Sequence, residues 1–594
     1  MTSALPVAPD AGDSARRIGV AAWAPALITA GYLAGAFALT WRLWAHPGSA
    51  MVAGNTTDTD LFAWFLRYDA TAIAHGRLPA LVTTAMNAPI GINLMWNTSL
   101  LVPGILLTPV TLLAGPQASL TVLVTAGFAG SAASMFYMLR RWQVSRPAAA
   151  LGGAVYGFSP ALLHSAVGHY NLQLAVLPPL IVEAALRPAL GSSASPWRTG
   201  LRLGLLITAQ LFISEEVLLG TAIVAVLAGA VLAASRPRAA VACAAAIARV
   251  VAVAAAVILA LAGWALRTQF FGPLTEHGSA FLPNFYENDL TGFVTPSAAQ
   301  LLHTGSSAAA AARYQGGLPE YLAYLGIPML ALLACAAVAF WRRLAVRAAA
   351  AAFVVPELLS LGGHPLIDGT EHYGVWLPWA WISHLPLIAA ALPDRLSIVA
   401  DGAAAALLAF SIDLTRVRLG SGTKAAGLAA ALAALAVAPL LPVPLPAAFA
   451  APLPPGWTTA FGALRLPPDA RVLVIPVPTA MATQALRWQA ESGTRIALIG
   501  GYFQGPAGNG QAYVEGGGLP ALTGYLDQLY EGNGAAQPPG IPQALATMRA
   551  WDPAAVVAVA GQRSALRRYL VKLLGLPSLT TGAILVWRSL VAVG

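Results

Sequence analysis

Two carboxylates stand two residues apart in the string Asn55-Thr-Thr-Asp58-Thr-Asp60-Leu-Phe-Ala-Trp64. Carboxylates are the side chains best able to accept a proton or hold a hard divalent cation, so a close pair is the first place to look for chemistry. Helix capping competes with that reading, because an Asp ahead of a helix accepts a bond from an orphan backbone N–H. Capping accounts for one aspartate better than for two. A second acidic pair, Glu215 and Glu216, interrupts an apolar run from Leu201 to Ala234, where carboxylates are expensive unless solvated, paired or functional. His164, His169, Asn171 and Gln173 cluster between two apolar stretches, a pattern that fits plain loop residues as well as ligands. Arg395 follows Pro393 and Asp394 at the start of another apolar stretch, which also suits a snorkelling arginine. The run Asn87-Ala-Pro-Ile-Gly-Ile-Asn93-Leu-Met-Trp96-Asn97 is dense in polar and aromatic residues, and Asn93 and Trp96 are its candidate binding residues. Tight turns and an interfacial tryptophan would give the same composition. No zinc-protease helix, nucleophile elbow, nucleic-acid module, or haem, flavin or nucleotide fingerprint is present.

The elements that must position these residues lie in a membrane. Of 594 residues 58% are hydrophobic and only 10% charged, which excludes a single soluble globule. About thirteen stretches approach the roughly 20 apolar residues that a spanning helix needs. They cover 18–42, 99–114, 118–139, 147–165, 171–188, 200–213, 216–234, 240–265, 321–341, 345–361, 376–391, 395–414 and 424–446. The chain therefore reads as a mainly α, polytopic membrane protein: a cytoplasmic tail over 1–17, a transmembrane domain over 18–446, and a domain over 447–594. Arg16 and Arg17 place the N-terminus in the cytoplasm and the long loop 43–98 outside. Strict alternation then puts Arg140, Arg141 and Arg146 outside, against the same positive-inside rule, so one hairpin is miscounted or one loop breaks the trend. With 33 basic and 24 acidic residues the net charge is +9, scattered as arginine through the loops; it reads as topology, and no nucleic-acid partner is expected. Cys243 and Cys335 both sit in apolar runs and offer neither a disulfide framework nor a thiolate metal site.

Within the loop 43–98, Leu61, Trp64, Phe65 and Tyr68 share a face at helical spacing, as in a helix lying at the interface. A second polar loop, 266–318, holds Arg267, Glu276, His277, Glu287 and Asp289 and is a candidate lid. Pro442, Pro444, Pro446, Pro452, Pro454 and Pro455 form a linker into the tail. There the segments 471–477, 495–499, 554–559 and 583–587 read as strands and 564–574 as a helix, giving a small α/β domain. Its glycine-rich stretch 500–518 lacks the spacing of a phosphate loop and reads as a mobile loop. Glu183, Glu357, Asp401 and Asp413 lie near span ends, where solvation is the plainer explanation.

An acidic motif at the start of a juxtamembrane helix in the first outer loop, followed by many spans and a soluble tail, resembles the GT-C glycosyltransferases. The strings Asn87–Asn97, Tyr156-Gly-Phe-Ser-Pro160, Gly168-His-Tyr-Asn171, Ser214-Glu-Glu216 and Leu392-Pro-Asp-Arg395 are similar to those of actinobacterial multi-pass proteins of that superfamily, over roughly residues 50–415. The resemblance implies a plasma-membrane transferase that moves sugar from a polyprenyl-phosphate donor to a cell-envelope acceptor on the outer face, with an extracytoplasmic tail. In that scheme Asp60, or Asp58, is the base that takes the acceptor proton. The other aspartate, or the pair, holds a divalent cation such as Mg2+ or Mn2+. Arg395 faces the departing lipid phosphate, and His169, Asn171, Glu215, Glu216, Asn93 and Trp96 are candidates for contact with donor phosphate or substrate. A transporter or flippase of envelope precursors is the rival. It would need discontinuous helices in two repeated halves, and the sequence shows no such repeat.

Overall fold

The computed structural model describes residues 11–190, 195–282, 285–385, 387–419, 423–515, 520–532, 537–561 and 564–588. Most of the expected N-terminal tail, 1–10, lies outside the described residues. Helices dominate up to Val437, and many start on a proline whose missing N–H costs nothing in the first turn. Pro116–Arg141, Pro160–Ser165, Pro178–Leu186, Pro196–Leu211 and Pro237–Phe271 all begin this way.

Among the described residues, five helices are long and apolar enough to cross a membrane: Trp23–Ala45, Pro116–Arg141, Glu215–Ser235, Pro237–Phe271 and Pro393–Arg418. The expectation of about thirteen spans is corrected accordingly, and proline explains much of the difference. The stretch 147–165 divides into Arg146–Gly157 and Pro160–Ser165, and 171–188 divides into Tyr170–Gln173 and Pro178–Leu186. Proline can open a helix but cannot continue one, since it lacks a donor and clashes with the preceding turn. Among its described residues, the stretch 376–391 keeps only the four-residue helix Trp379–Ile382.

The stretch 99–114 decides the topology. It forms two short helices, Leu101–Leu106 and Thr108–Ala114, each about 10 Å long against a hydrocarbon core of about 30 Å. Gly104 packs against Asp69 at one end of the pair, and Gly115 approaches Glu491 of the tail at the other, so the pair returns to the side it left. With that crossing removed, the helix Pro116–Arg141 starts on the tail side, where Gln117 donates to Ala50 O at 2.7 Å, and its arginines emerge at the opposite end. The conflict over Arg140, Arg141 and Arg146 disappears.

Helix contacts in the bundle are close where glycine permits. A Cβ on Gly157 would lie 2.4 Å from the Ala132 backbone N, and one on Gly153 2.7 Å from Ala132 O. The helix Arg146–Gly157 therefore lies directly on Pro116–Arg141, as small residues allow in membranes.

The tail carries a five-stranded sheet. Ile496–Leu498 and Ala555–Val559 flank Ala470–Ile475 in parallel; Ile584–Arg588 and then Leu579–Thr581 extend it antiparallel. Four of these strands, and the helix Ala565–Leu574, fall on the segments read from sequence; the edge strand Leu579–Thr581 is not among them. Val472 to Ile475 are fully buried, as in parallel strands covered on both faces. The tail does not hang free. Ala447–Phe449 pairs with Ala50–Val52 beyond the first helix, and one apolar core runs from the bundle into the sheet.

The helix Thr56–Ala74 sits at that junction. Instead of lying on lipid, its Leu61, Trp64 and Phe65 are buried in protein. Trp64 Nε1 donates to Gln489 Oε1 at 2.7 Å and Arg67 Nε to Ala490 O at 2.7 Å, both on the tail helix Gln484–Ser492. A tryptophan at helical spacing signals an apolar face without saying what covers it.

Candidate active site

Asn55, not Asp60, caps this helix: its Oδ1 accepts from the Asp58 backbone N–H at 3.1 Å. Asp58 is thereby held in the first turn, where the helix dipole favours an anion. Three donors converge on its carboxylate. Asn55 Nδ2 donates to Oδ2 at 2.6 Å, Tyr502 OH to Oδ1 at 2.7 Å, and His169 Nε2 stands 3.1 Å from Oδ2. His169 follows Gly168, whose φ is +92° and whose site has no room for a side chain, since a Cβ there would meet Asn55 Nδ2 at 2.7 Å. Glycine is what lets the histidine turn come this close to the cap.

From His169 the charges continue in alternation. Its Nδ1 is 3.5 Å from Glu320 Oε1, Arg395 Nε is 3.2 Å from each Glu320 oxygen, and Arg395 Nη1 reaches Glu216 Oε2. The row Asp58, His169, Glu320, Arg395, Glu216 thus joins five segments far apart in sequence. Glu320 is sealed in the middle with its side chain 2% exposed, whereas Asp58 at 16% and Glu216 at 22% keep an open edge at the two ends.

The row fixes its own protonation. Burial pushes the Asp58 pKa up, but His169, Tyr502 and Asn55 outweigh it, and the carboxyl rests below its ordinary value. Burial pushes His169 down, but Glu320 and Asp58 outweigh that and favour the imidazolium. Glu320, desolvated yet facing Arg395 and His169, is also held low. Asp58 is therefore a partly accessible carboxyl held toward its ionised form, beside an imidazole held toward its protonated form.

Asp60 does not belong to this row. Side chains two apart on a helix do not face each other, and Asp60 is buried on the opposite side. Its Oδ1 is 3.1 Å from Arg487 Nη1 and its Oδ2 accepts from Thr483 Oγ1 at 2.8 Å. The expected cation pair is corrected on this ground: Asp58 and Asp60 share no space, and all four oxygens already have partners. Among the described residues no group of three or more His, Cys, Asp or Glu is arranged to hold a metal.

The remaining candidates are placed elsewhere. Glu215 accepts from Gln269 Nε2 at 3.0 Å, and Asn171 is buried in the helix Tyr170–Gln173 and enters none of these ion pairs. Asn93 Nδ2 donates to Thr268 O and Pro273 O, and Trp96 Nε1 to Gln269 O, so both stitch the first loop to the end of the helix Pro237–Phe271. In the second loop, Glu276 accepts from Gln504 Nε2, and His277 pairs through its backbone with Gly510 and Ala512. That segment is sewn to the tail. The sequence reading missed Glu320 and Tyr502. Glu320 stands just before an expected span, a position where polar residues are common; Tyr502 lies 444 residues from Asp58 in a stretch read as mobile.

No protein-family model and no curated protein sequence matches the chain. Among solved structures, a mycobacterial arabinofuranosyltransferase, AftD, superposes with a TM-score of 0.53 at 14% identity, over 90% of this chain and 36% of that one. The chain shares the fold of that part of the arabinofuranosyltransferase. It spans about a third of that arabinofuranosyltransferase's length. The oligosaccharyltransferase of Archaeoglobus fulgidus is more distant, with a TM-score of 0.48 at 10% identity over 90% of this chain and 69% of that one. In this fold the charged row lies at the end of the bundle that carries the tail.

Proposed function

We propose that the protein is a membrane glycosyltransferase that takes sugar from a polyprenyl-phosphate donor and passes it to a cell-envelope acceptor on the outer face. One observation carries the reading. An apolar cavity of about 840 Å³ lies in the bundle, lined by Arg141 and Arg236 at one end and by Thr221 and Val399 toward the Glu216–Arg395 end of the charged row. Thr221 and Val399, which line the cavity, are one helical turn beyond Glu216 and Arg395. That arrangement suits a ligand with an anionic head and a hydrocarbon tail. In the reaction Asp58 accepts the acceptor hydroxyl's proton as its oxygen attacks the anomeric carbon, through an oxocarbenium-like transition state. The bond to the lipid phosphate breaks, and Arg395, exchanging Glu216 for phosphate, holds the leaving group with His169 nearby. Neither step is routed through a cation, for which the residues present do not fit. Asp60 serves as an anchor for the tail.

The orientation follows from charge. Arg140, Arg141, Arg146, Arg236, Arg342 and Arg418 gather at helix ends opposite the tail, which the positive-inside rule assigns to the cytoplasm. The test is transfer by the purified protein from a panel of polyprenyl-phosphate sugars. Activity that disappears in Asp58→Asn supports the reading. A fully active Asp58→Asn, or donor-independent lipid transport in proteoliposomes, would overturn it.

A further inference from the structure

Two sequence features remain, apart from Tyr502, without a role in the transfer site: the polar run from Asn87 and the glycine-rich stretch from Gly500. They meet. The loop 87–93 and the tail segment 499–506 form one side of a pocket of about 270 Å³, and Glu515, Thr523 and Trp551 form the other. Ligand sites favour such interfaces, with a largely apolar wall and a few converging polar groups. Here the polar groups are specific. Thr523 is 1% exposed and its hydroxyl has no partner among the described residues, a burial that costs stability unless a ligand satisfies it. Glu515 uses one oxygen to accept from the Ala480 backbone N–H; its other oxygen takes no bond among the described residues. Trp551 adds an aromatic surface, and among the described residues no basic side chain lines the pocket.

We infer that this pocket binds one neutral sugar residue of the acceptor, beside the transfer site rather than in it; the word acceptor rests on the function proposed above. A hydroxylated ring matches a carboxylate acceptor, a hydroxyl donor and an aromatic face. The carboxylate and the lack of cations disfavour phosphate. The volume falls just below the usual range for larger ligands, which suits a single ring. The site is coupled to catalysis by adjacency: Phe503 lines the pocket and the next residue back, Tyr502, holds Asp58.

The experiment uses the full-length protein in detergent, with methyl pentofuranosides and methyl hexopyranosides as probes in saturation-transfer NMR. Ethanolamine and inorganic phosphate serve as competing probes. At least one glycoside is expected to bind, with affinity reduced roughly tenfold in Thr523→Val and in Trp551→Ala. Thr523→Val should not lower the melting temperature, because it removes a hydroxyl that has no partner. In the transfer assay both variants should raise KM for an oligosaccharide acceptor and leave kcat unchanged. Glycoside binding without any transfer activity would overturn the proposed function and keep the pocket. Transfer activity with no glycoside binding, binding unaltered in both variants, or preference for ethanolamine or phosphate would overturn the pocket.

Discussion

Asp58 and Asp60 show how far two identical side chains can be separated by one helical offset. Asp58 has three donors and an open edge; Asp60 has Arg487 and Thr483 and none. Asp58→Asn should lower kcat by about 10³-fold, within the range for a lost general base, with an unchanged melting curve. The pH profile follows from the signs. A base held below its ordinary pKa keeps activity until pH falls through that lowered value, and an imidazolium held above its ordinary value loses its charge only as pH rises through the raised one. Activity should therefore be bell-shaped, its limbs belonging to the coupled row. Tyr502→Phe removes a bond that stabilises the ionised carboxylate, so the acidic limb should move to higher pH while the alkaline limb stays. An unmoved acidic limb would mean that Tyr502 does not act through Asp58. In a chain with so few charges, Asp58, His169, Glu216 and Arg395 were visible by scarcity. Glu320 and Tyr502 were not, because each owes its importance to a partner hundreds of residues away or to a turn that sequence does not specify.

Elements were legible where the local pattern and the environment agree. The tail strands repeat β-branched residues between turns, and the structure keeps them. Spans were overcounted because hydropathy measures apolar content and not helix continuity; Pro160 and Pro178 start new helices inside stretches that read as one. The helix Thr56–Ala74 was legible as amphipathic, but its covering surface is the tail helix Gln484–Ser492. The latch between them is the Asp60–Arg487 pair, with side chains 1% and 3% exposed. Arg487→Met leaves Asp60 buried without its counter-charge and should destabilise the protein by about 3–5 kcal/mol, measured by thermal unfolding in detergent. The double variant Arg487→Met/Asp60→Leu should recover part of that loss, since no unpaired charge remains. Within the bundle, Gly153→Val should separate the helix Arg146–Gly157 from Pro116–Arg141, because its side chain would start 2.7 Å from Ala132 O. A normal melting temperature in that variant would mean that the two helices are not in direct contact there.

At the scale of the whole molecule, the net charge of +9 acquires a direction only once the crossings are corrected. With 99–114 returning to its own side, the arginine-bearing helix ends collect opposite the tail, and the charged row shares the tail's side. This arrangement ties the side of the reaction to the donor. On the cytoplasmic side a transferase has access to soluble nucleotide sugars, whereas on the outer side the activated sugar must arrive attached to the membrane, consistent with an apolar cavity whose lining residues Thr221 and Val399 lie about one helical turn from Glu216 and Arg395. The orientation is open to direct measurement. In a background with Cys243 and Cys335 replaced by Ala, single cysteines at Arg141 and at Asn509 place one thiol at each end of the molecule. A membrane-impermeant maleimide added to intact cells should label the cysteine at 509 and spare the one at 141, which should react only after the membrane is opened. The reverse pattern would put Asp58 in the cytoplasm. A lipid-linked donor would then no longer follow from the side on which the reaction occurs, and the cavity would need a different occupant.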